Sequence, residues 1–526
     1  MNPRLSQGAS VSIIVTCYVL SRVTSWRMGF RLLTIDLWQC LDFSLLQHDL
    51  LKSLVLLHAQ PPLFNLLIGT LLKVFPEHWK DAYTLLSLSL GFIASLCLYF
   101  LMVRLGTSLL LALIMTVLFI FNPATLLYEQ FLFYSHIVMT LLCLSAFCLE
   151  RFLATRHIGW LIAFFLLTAS VCLTHALFHL VWLVGTALAL ILWGGRARYD
   201  RKKIALVALV PCLLVGAWYA KNWYLFGHFS ASTWLGMNVA KRWAGNEALQ
   251  PELALLVERG AISQVSVITS FRSLDRYAGL MEMPEPWGHA ALDSWYKSDG
   301  NPNFNHTAYI RVADQYLEDA VPIAKAMPGA MARSVLVSWL FYFQPDSQLF
   351  LYDYFQPQGF ARIRWLDTVY RRVYYLQYRT EPESVIEWDY PPDARHRYYW
   401  QMGQAVSLSL LVGTCLVMIV VPRQVWRLLR VKQDDRYALV LLYLWYTVVY
   451  AAVVGNTLEL YENHRFRFET YPLWIILVVV SLVQLWSQGA QKGTRGVVFS
   501  GKPVPAPPTR CSTRTPASSG EVQTLQ

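Results

Sequence analysis

Ahead of the Pro61-Pro62 pair and the apolar run that follows it, the chain sets Asp36, Asp42, His48, Asp49 and His58. Carboxylates and imidazoles move protons. A carboxylate sheltered at the edge of an apolar layer gains basicity, which suits it to take a proton from a hydroxyl. Asp36, in LTIDLWQCLD, is the first candidate for that work and Asp42 the second. Glu129 is the one charge in FNPATLLYEQFLFYS, where Pro123 breaks the preceding segment. An ionisable group at such depth is costly and faces a bundle interior or a wet cavity. Near the other end, YENHRFRFETYP holds Arg465 and Arg467 with Glu462 and Glu469 beside them. Arginine grips phosphate oxygens bidentately and keeps its charge. Lys221, in AWYAKNWYLFG, is a third cation at the exit of an apolar segment. Each group also has a plainer reading: a helix cap, a Glu/Arg network pinning a loop, or a snorkelling anchor. His175 and His179, four apart, lack a third ligand for zinc and are expected to hydrogen-bond within the bundle.

The elements that must position these groups are set by composition. Of 526 residues, 56% are hydrophobic and 15% charged, more apolar surface than a soluble protein can bury. The expected class is an all-α polytopic membrane protein. Its net charge of +11 is gathered in clusters between apolar spans, as the positive-inside rule places it, so nucleic-acid binding is excluded. The nine cysteines form neither a disulfide framework nor a metal spacing. The first apolar run continues into Ser-Arg-Val-Thr instead of a cleavage site and is read as a retained anchor.

A spanning helix needs about 20 apolar residues. Segments near 8–25, 82–103, 107–125, 131–150, 158–174, 177–194, 204–222, 401–421, 437–454 and 471–487 qualify. Residues 61–75 reach only about 22 Å as a helix, short of the hydrocarbon core. If that run does not cross, Arg104, the Arg151/Arg156 loop, GRARYDRKK and RQVWRLLRVKQDDR all fall on the inner side. Residues 61–75 and 331–343 are therefore expected to be juxtamembrane helices on the outer side. The same parity gathers residues 26–81, 122–130, 223–400 and 458–470 on the outer face. The expected domains are a transmembrane module at 1–222, a mostly helical outer domain at 223–400, further spans at 401–487 and a disordered cytoplasmic tail at 488–526. Within the outer domain, YDYFQPQGFARIRWLDTVYRRVYYLQYR offers aromatic and basic groups either to sugars and phosphates or to lipid headgroups. Asn305-His306-Thr307 spells an N-glycosylation sequon and is read as a chance match.

HAQPPLFNLLIG resembles the His-x-Pro-Pro-Leu signature in the first outer loop of polyprenol-phosphate-sugar-dependent glycosyltransferases of the GT-C fold. Protein O-mannosyltransferases and lipid A aminoarabinose transferases are of this kind. FNPATLLYEQFLFYS looks like their next outer turn, and AWYAKNWYLFGHF is similar to their Trp-Tyr-x-x-Asn-x-x-x-Phe-Gly exit from the seventh span. The likeness covers residues 8–230 in order, with a weaker one at 462–473. It implies a GT-C-like bundle of about ten transmembrane helices with juxtamembrane helices and an outer domain. It also implies Asp36 as the first-loop catalytic aspartate, with Asp42 in reserve, and Glu129 as the second-loop acid. Donor phosphate and sugar contacts are expected from His58, Tyr128, Lys221, Glu462, Arg465 and Arg467. Where the family often has Asp-Glu-x-x-Tyr this chain has Asp36-Leu37-Trp38-Gln39-Cys40, and the outer domain matches nothing in it.

The implied reaction draws a polyprenyl-phosphate-linked sugar from the outer leaflet. A base deprotonates a hydroxyl of a protein, glycan or lipid acceptor, and that hydroxyl displaces the lipid phosphate with inversion. No cofactor is implied, and no Asp-x-Asp pair on the outer face indicates a metal. The expected location is a bacterial inner membrane with the site facing the periplasm, or alternatively the endoplasmic reticulum with a luminal site. A transporter or flippase of lipid-linked sugars is the rival reading. Transporters show paired repeats and midplane polar groups, whereas here the polar groups lie at one face.

Overall fold

Hydropathy and capping together set the helices of the computed structural model, which describes residues 6–34, 38–194, 200–347, 360–377, 406–431 and 435–495. The protein is an all-α polytopic membrane protein; among the described residues the only β pairing is two isolated bridges. The chain divides into two units, Met1–Leu482 and Val483–Gln526, and the site belongs to the first.

Ser6 caps the first span, α1 (Gln7–Arg27), by accepting from the Ala9 amide at 3.1 Å. The short amphipathic helix α2 (Pro62–Val74) opens on Pro62, whose missing N–H costs nothing at a first turn. Then follow α3 (Trp79–Arg104), α4 (Leu109–Ile120), α5 (Pro123–Glu129), α6 (Tyr134–Thr155), α7 (Ile158–Thr174), α8 (Leu180–Gly194) and α9 (Arg201–Phe226). Asp200 caps α9 at one end, and Gly227, at φ 79°, closes it in the left-handed region that glycine tolerates. The segment after α9 contains α10 (Leu235–Ala240), α11 (Ala308–Ala326) and α12 (Pro328–Tyr342), and three helices complete the described chain: α13 (Leu408–Val431), α14 (Asp435–Leu458) and α15 (Asn463–Arg495).

Among the described residues seven helices are long and apolar enough to cross a membrane, and α4 with α5 makes an apolar pair bent by 54°, the geometry of a broken span or a re-entrant loop. The shorter apolar helices α7 and α8 occupy the two remaining expected segments. The bend falls at Asn122-Pro123, where the Asn122 side chain accepts from the Ala124 amide at 2.9 Å and starts a new helix. The structure differs from the sequence reading at α15. Residues 463–470, expected in a loop, are already helical, because Arg465 pairs with Glu462 at i−3 and Glu469 at i+4.

The most interior spans are Asn463–Trp486, 72% buried, and Tyr134–Thr155, 67% buried; Gln7–Arg27 and Arg201–Phe226 are each 28% buried and lie at the rim. On α9, Leu206, Leu209, Val210, Leu213 and Leu214 are exposed, a face suited to lipid. The two interior helices begin at the same end of the bundle. There the four stretches assigned to the outer side meet: Leu33 bridges Phe131, His58 binds Thr233 and Asn305, and Asp346 pairs with Arg467.

Candidate functional site

The end of the bundle where α6 and α15 begin holds two groups, a clamp of the first loop on the segment after α9 and a buried charge cluster. In the clamp, the buried His58 ring holds Thr233 Oγ1 through Nδ1 and the Asn305 carbonyl through Nε2, both at 2.8 Å. A carbonyl only accepts, so the proton sits on Nε2 and the threonine hydroxyl donates to Nδ1. Burial pushes this imidazole down to about 3 and keeps it neutral. Asn305 returns two bonds, accepting from the amides of His58 at 2.9 Å and Ala59 at 3.1 Å. Its own amide nitrogen donates to the carbonyls of Leu56 and Ala291, so the sequon asparagine is committed to the interior. Lys221 Nζ donates to the Leu57 carbonyl at 2.5 Å and lies 3.7 Å from the Trp218 ring centroid. His58 and Lys221 therefore secure the same stretch of the first loop.

Asp42 belongs to the clamp as well. It caps the helix Phe43–His48 and accepts from the Ser44 amide and hydroxyl and from the Ser298 amide and hydroxyl. Burial alone raises this carboxyl, but the bonds from Ser298 and Ser44 outweigh it and hold the group below its usual range. That is a fixed, weakly basic carboxylate. Asp36 lies outside the described residues. On either side of it, the Leu33 amide donates to the Gln130 carbonyl at 2.7 Å, and Trp38 stacks on Phe271 with centroids 5.8 Å apart.

Glu129 is buried against Arg22, whose Nε donates to Oε2 at 2.8 Å and whose Nη2 donates to Oε1. Tyr18 adds a bond to Oε1 at 3.2 Å, and Arg22 also donates to Ser21 Oγ and the Ile120 carbonyl. Gly91 leaves the space the carboxylate fills, since a Cβ there would overlap Glu129 Oε1. Arg22 is a partner that the sequence reading did not name, and its charge inside an apolar span is the signal for one. Tyr128, next in line, is buried with its ring stacked on Phe468 at 3.8 Å.

The start of α6 joins Glu129 to the arginines. His136 Nε2 lies 3.9 Å from Glu129 Oε1, Ser135 Oγ donates to Glu469 at 2.8 Å, and Tyr134 Oη accepts from Arg465 at 3.1 Å. Glu469 also meets His175 Nδ1 at 3.0 Å, and His179 pairs with the Tyr450 hydroxyl at 2.9 Å, so both histidines bond within the bundle. Arg465 is held by Glu462 at 2.7 Å and stands over the Phe133 and Phe466 rings. Arg467 donates to the carbonyls of Tyr342 and Gln344 and pairs with Asp346 at 2.6 Å. Asp346, a residue sequence reasoning missed, carries no local signal in FQPDSQ. A second missed pair, Lys241 with Glu459 at 2.5 Å, ties the end of α10 to the end of α14. Glu462, Arg465 and Glu469 thus form one network, Glu129 approaches its α6 segment through His136, and Arg467 makes a separate pair with Asp346 from the same helix.

Two arginine edges remain open: Arg465 Nε and Arg467 Nη1 are buried and have no hydrogen-bond partner among the described residues. A planar guanidinium fixed along one edge and open on another is arranged to receive an anion or a hydroxyl-rich group. No group of three or more His, Cys, Asp or Glu able to hold a metal occurs among the described residues.

No family model matches the chain, and no curated protein is similar to it. Among solved structures it is similar to the archaeal oligosaccharyltransferase AglB from Archaeoglobus fulgidus, in complex with an inhibitory peptide and a dolichol-phosphate. The TM-score is 0.37 at 11% identity, over 94% of this chain and 52% of that one. The chain therefore spans about half the length of that enzyme.

Proposed function

We propose that the protein is a membrane glycosyltransferase that moves a sugar from a polyprenyl-phosphate donor to an acceptor hydroxyl at the outer face. The observation that carries this reading is the open guanidinium nitrogen of Arg465, buried where the two innermost helices begin, while Arg467, two residues on, faces Asp346. The carboxylates of Glu462, Glu469 and Asp346 hold these arginines in place without saturating them. A lipid phosphate arriving from the outer leaflet would meet the open Arg465 nitrogen, and its developing charge on departure would be stabilised by a donor already oriented. Asp36 is assigned the role of base that takes the acceptor proton, and inversion follows from a single displacement. Glu129 is assigned to position α5 through Arg22.

The test is transfer from purified full-length protein in lipid nanodiscs. The probes are polyprenyl-phosphate mannose, glucose and aminoarabinose, and wild type is run beside Asp36→Asn and Arg465→Gln. Transfer by wild type, lost in Asp36→Asn while lipid-phosphate binding persists, is the expected result. Absence of both transfer and lipid-phosphate binding in a folded wild type overturns the reading. Movement of labelled lipid-linked sugar across the bilayer without transfer would favour the transporter.

A further inference from the structure

Behind Arg467 the cluster changes character from ionic to phenolic. Asp346 is fully buried, and its carboxylate is ion-paired to Arg467. Five tyrosines lie in electrostatic reach of Asp346: Tyr342 at the end of α12, Tyr374 and Tyr375 beyond the helix Phe360–Val369, Tyr471 on α15 and Tyr128 on α5. Asn122 Nδ2 donates to the hydroxyls of Tyr375 at 2.9 Å and Tyr471 at 3.3 Å, and the Tyr374 and Tyr471 hydroxyls share a bond of 2.6 Å. The Tyr342 hydroxyl and Arg467 Nη1 are buried with no partner among the described residues.

We propose that Asp346, Arg467 and Tyr342, inside this tyrosine cage, form the subsite for the sugar of the lipid-linked donor. The inference rests on the glycosyl-transfer reading and names the part of the donor that reading left unplaced. A carboxylate accepts from sugar hydroxyls, a guanidinium edge and a phenol donate to ring and hydroxyl oxygens, and phenol faces pack on the C–H faces of a pyranose. The Asp346–Arg467 pair is neutral as a unit, and the carboxylate disfavours a second anion. A neutral, hydroxyl-rich ligand matches that balance. Buried polar atoms left unpaired cost stability, and a ligand that satisfies them recovers it. Burial, only partly offset by Arg467, also pushes the Asp346 carboxyl up to about 7, so the pair's charge is held loosely.

Binding of decaprenyl phosphate, decaprenyl-phosphate mannose and decaprenyl-phosphate glucose to the full-length protein in nanodiscs tests the proposal, with wild type, Asp346→Asn and Tyr342→Phe compared. Tyr342→Phe removes an oxygen that bonds to nothing in the described protein, so its fold is safe even if Asp346→Asn does not fold. Wild type is expected to bind at least one sugar-bearing lipid about tenfold more tightly than decaprenyl phosphate. Tyr342→Phe and any folded Asp346→Asn should lose most of that difference, with affinity for decaprenyl phosphate unchanged. A wild type that does not distinguish the three lipids, or a difference that survives Tyr342→Phe intact, overturns the subsite while leaving the phosphate site standing. Failure of wild type to bind any of the three overturns the glycosyl-transfer reading and this subsite together.

Discussion

Replacing Glu129 by Gln separates a structural from a chemical duty for this acid. The carboxylate is 1% exposed and takes two bonds from Arg22, itself 8% exposed. Removing one partner of a buried ion pair costs about 3–5 kcal/mol, because the remaining charge is stranded. Here the stranded Arg22 keeps its bonds to Ser21 Oγ and the Ile120 carbonyl and its place over the Tyr18 ring, which puts the loss near the lower bound, about 3 kcal/mol. Arg22→Met should cost about as much, since it strands Glu129. The double variant removes both charges together, and its cost should fall well below the sum, giving a coupling of about 2 kcal/mol or more. Reversible unfolding by denaturing detergent in mixed micelles measures all four corners of the cycle. A coupling below about 0.5 kcal/mol would refute the reasoning, since that is the scatter of independent sites. The same four proteins, assayed for sugar transfer where folded, decide the second question. If Glu129 only secures α5 against α1, the double variant recovers activity with its stability; a folded but inactive double variant would place the carboxylate in the reaction.

Two further outcomes follow from the clamp and the crossing of α10 on α11. His58 titrates at about 3 when folded against 6.5 when exposed, so the unfolded chain binds its proton first as pH falls. Its contribution is full above pH 6.5 and declines towards pH 3, a loss of about 2 kcal/mol by pH 5. His58→Gln should be less stable at pH 7.5 yet flatter between pH 6.5 and 5, and an unchanged slope in thermal unfolding would count against the neutral buried ring. At Gly236 a Cβ would overlap the Ala313 backbone carbonyl where α10 crosses α11, whereas a Cβ at Gly329 meets nothing within 4 Å. Gly236→Ala should therefore lose about 1–3 kcal/mol or more while Gly329→Ala stays near wild type, as chemical unfolding would show; equal effects would contradict the close crossing.

Hydrophobic length and charge parity are local or additive properties, and the parts of this fold that depend on them were legible. The apolar segments became helices, and the outer stretches assigned by parity meet at one end through Leu33 with Phe131 and His58 with Asn305. The break after α4 was marked by Pro123, and the Asn122 cap gives its cause. What was not legible is partnership across long separations. Arg22 and Glu129 are 107 residues apart, and nothing near either one names the other. Asp346 sits in a loop of unremarkable composition, while Arg467, its partner, is reached only when the end of α12 folds back onto the first turns of α15. The helical start of α15 stood between these extremes, because the i, i+3 and i+4 spacing of Glu462, Arg465 and Glu469 was present in YENHRFRFET. Reading that spacing as helix fixes both arginines on a rigid turn instead of a loose loop, and their i, i+2 separation aims them at different neighbours, Arg465 at Glu462 and Tyr134 and Arg467 at Asp346. Rigidity of that kind separates a site able to hold a lipid phosphate at a reacting distance from a basic surface that only attracts one.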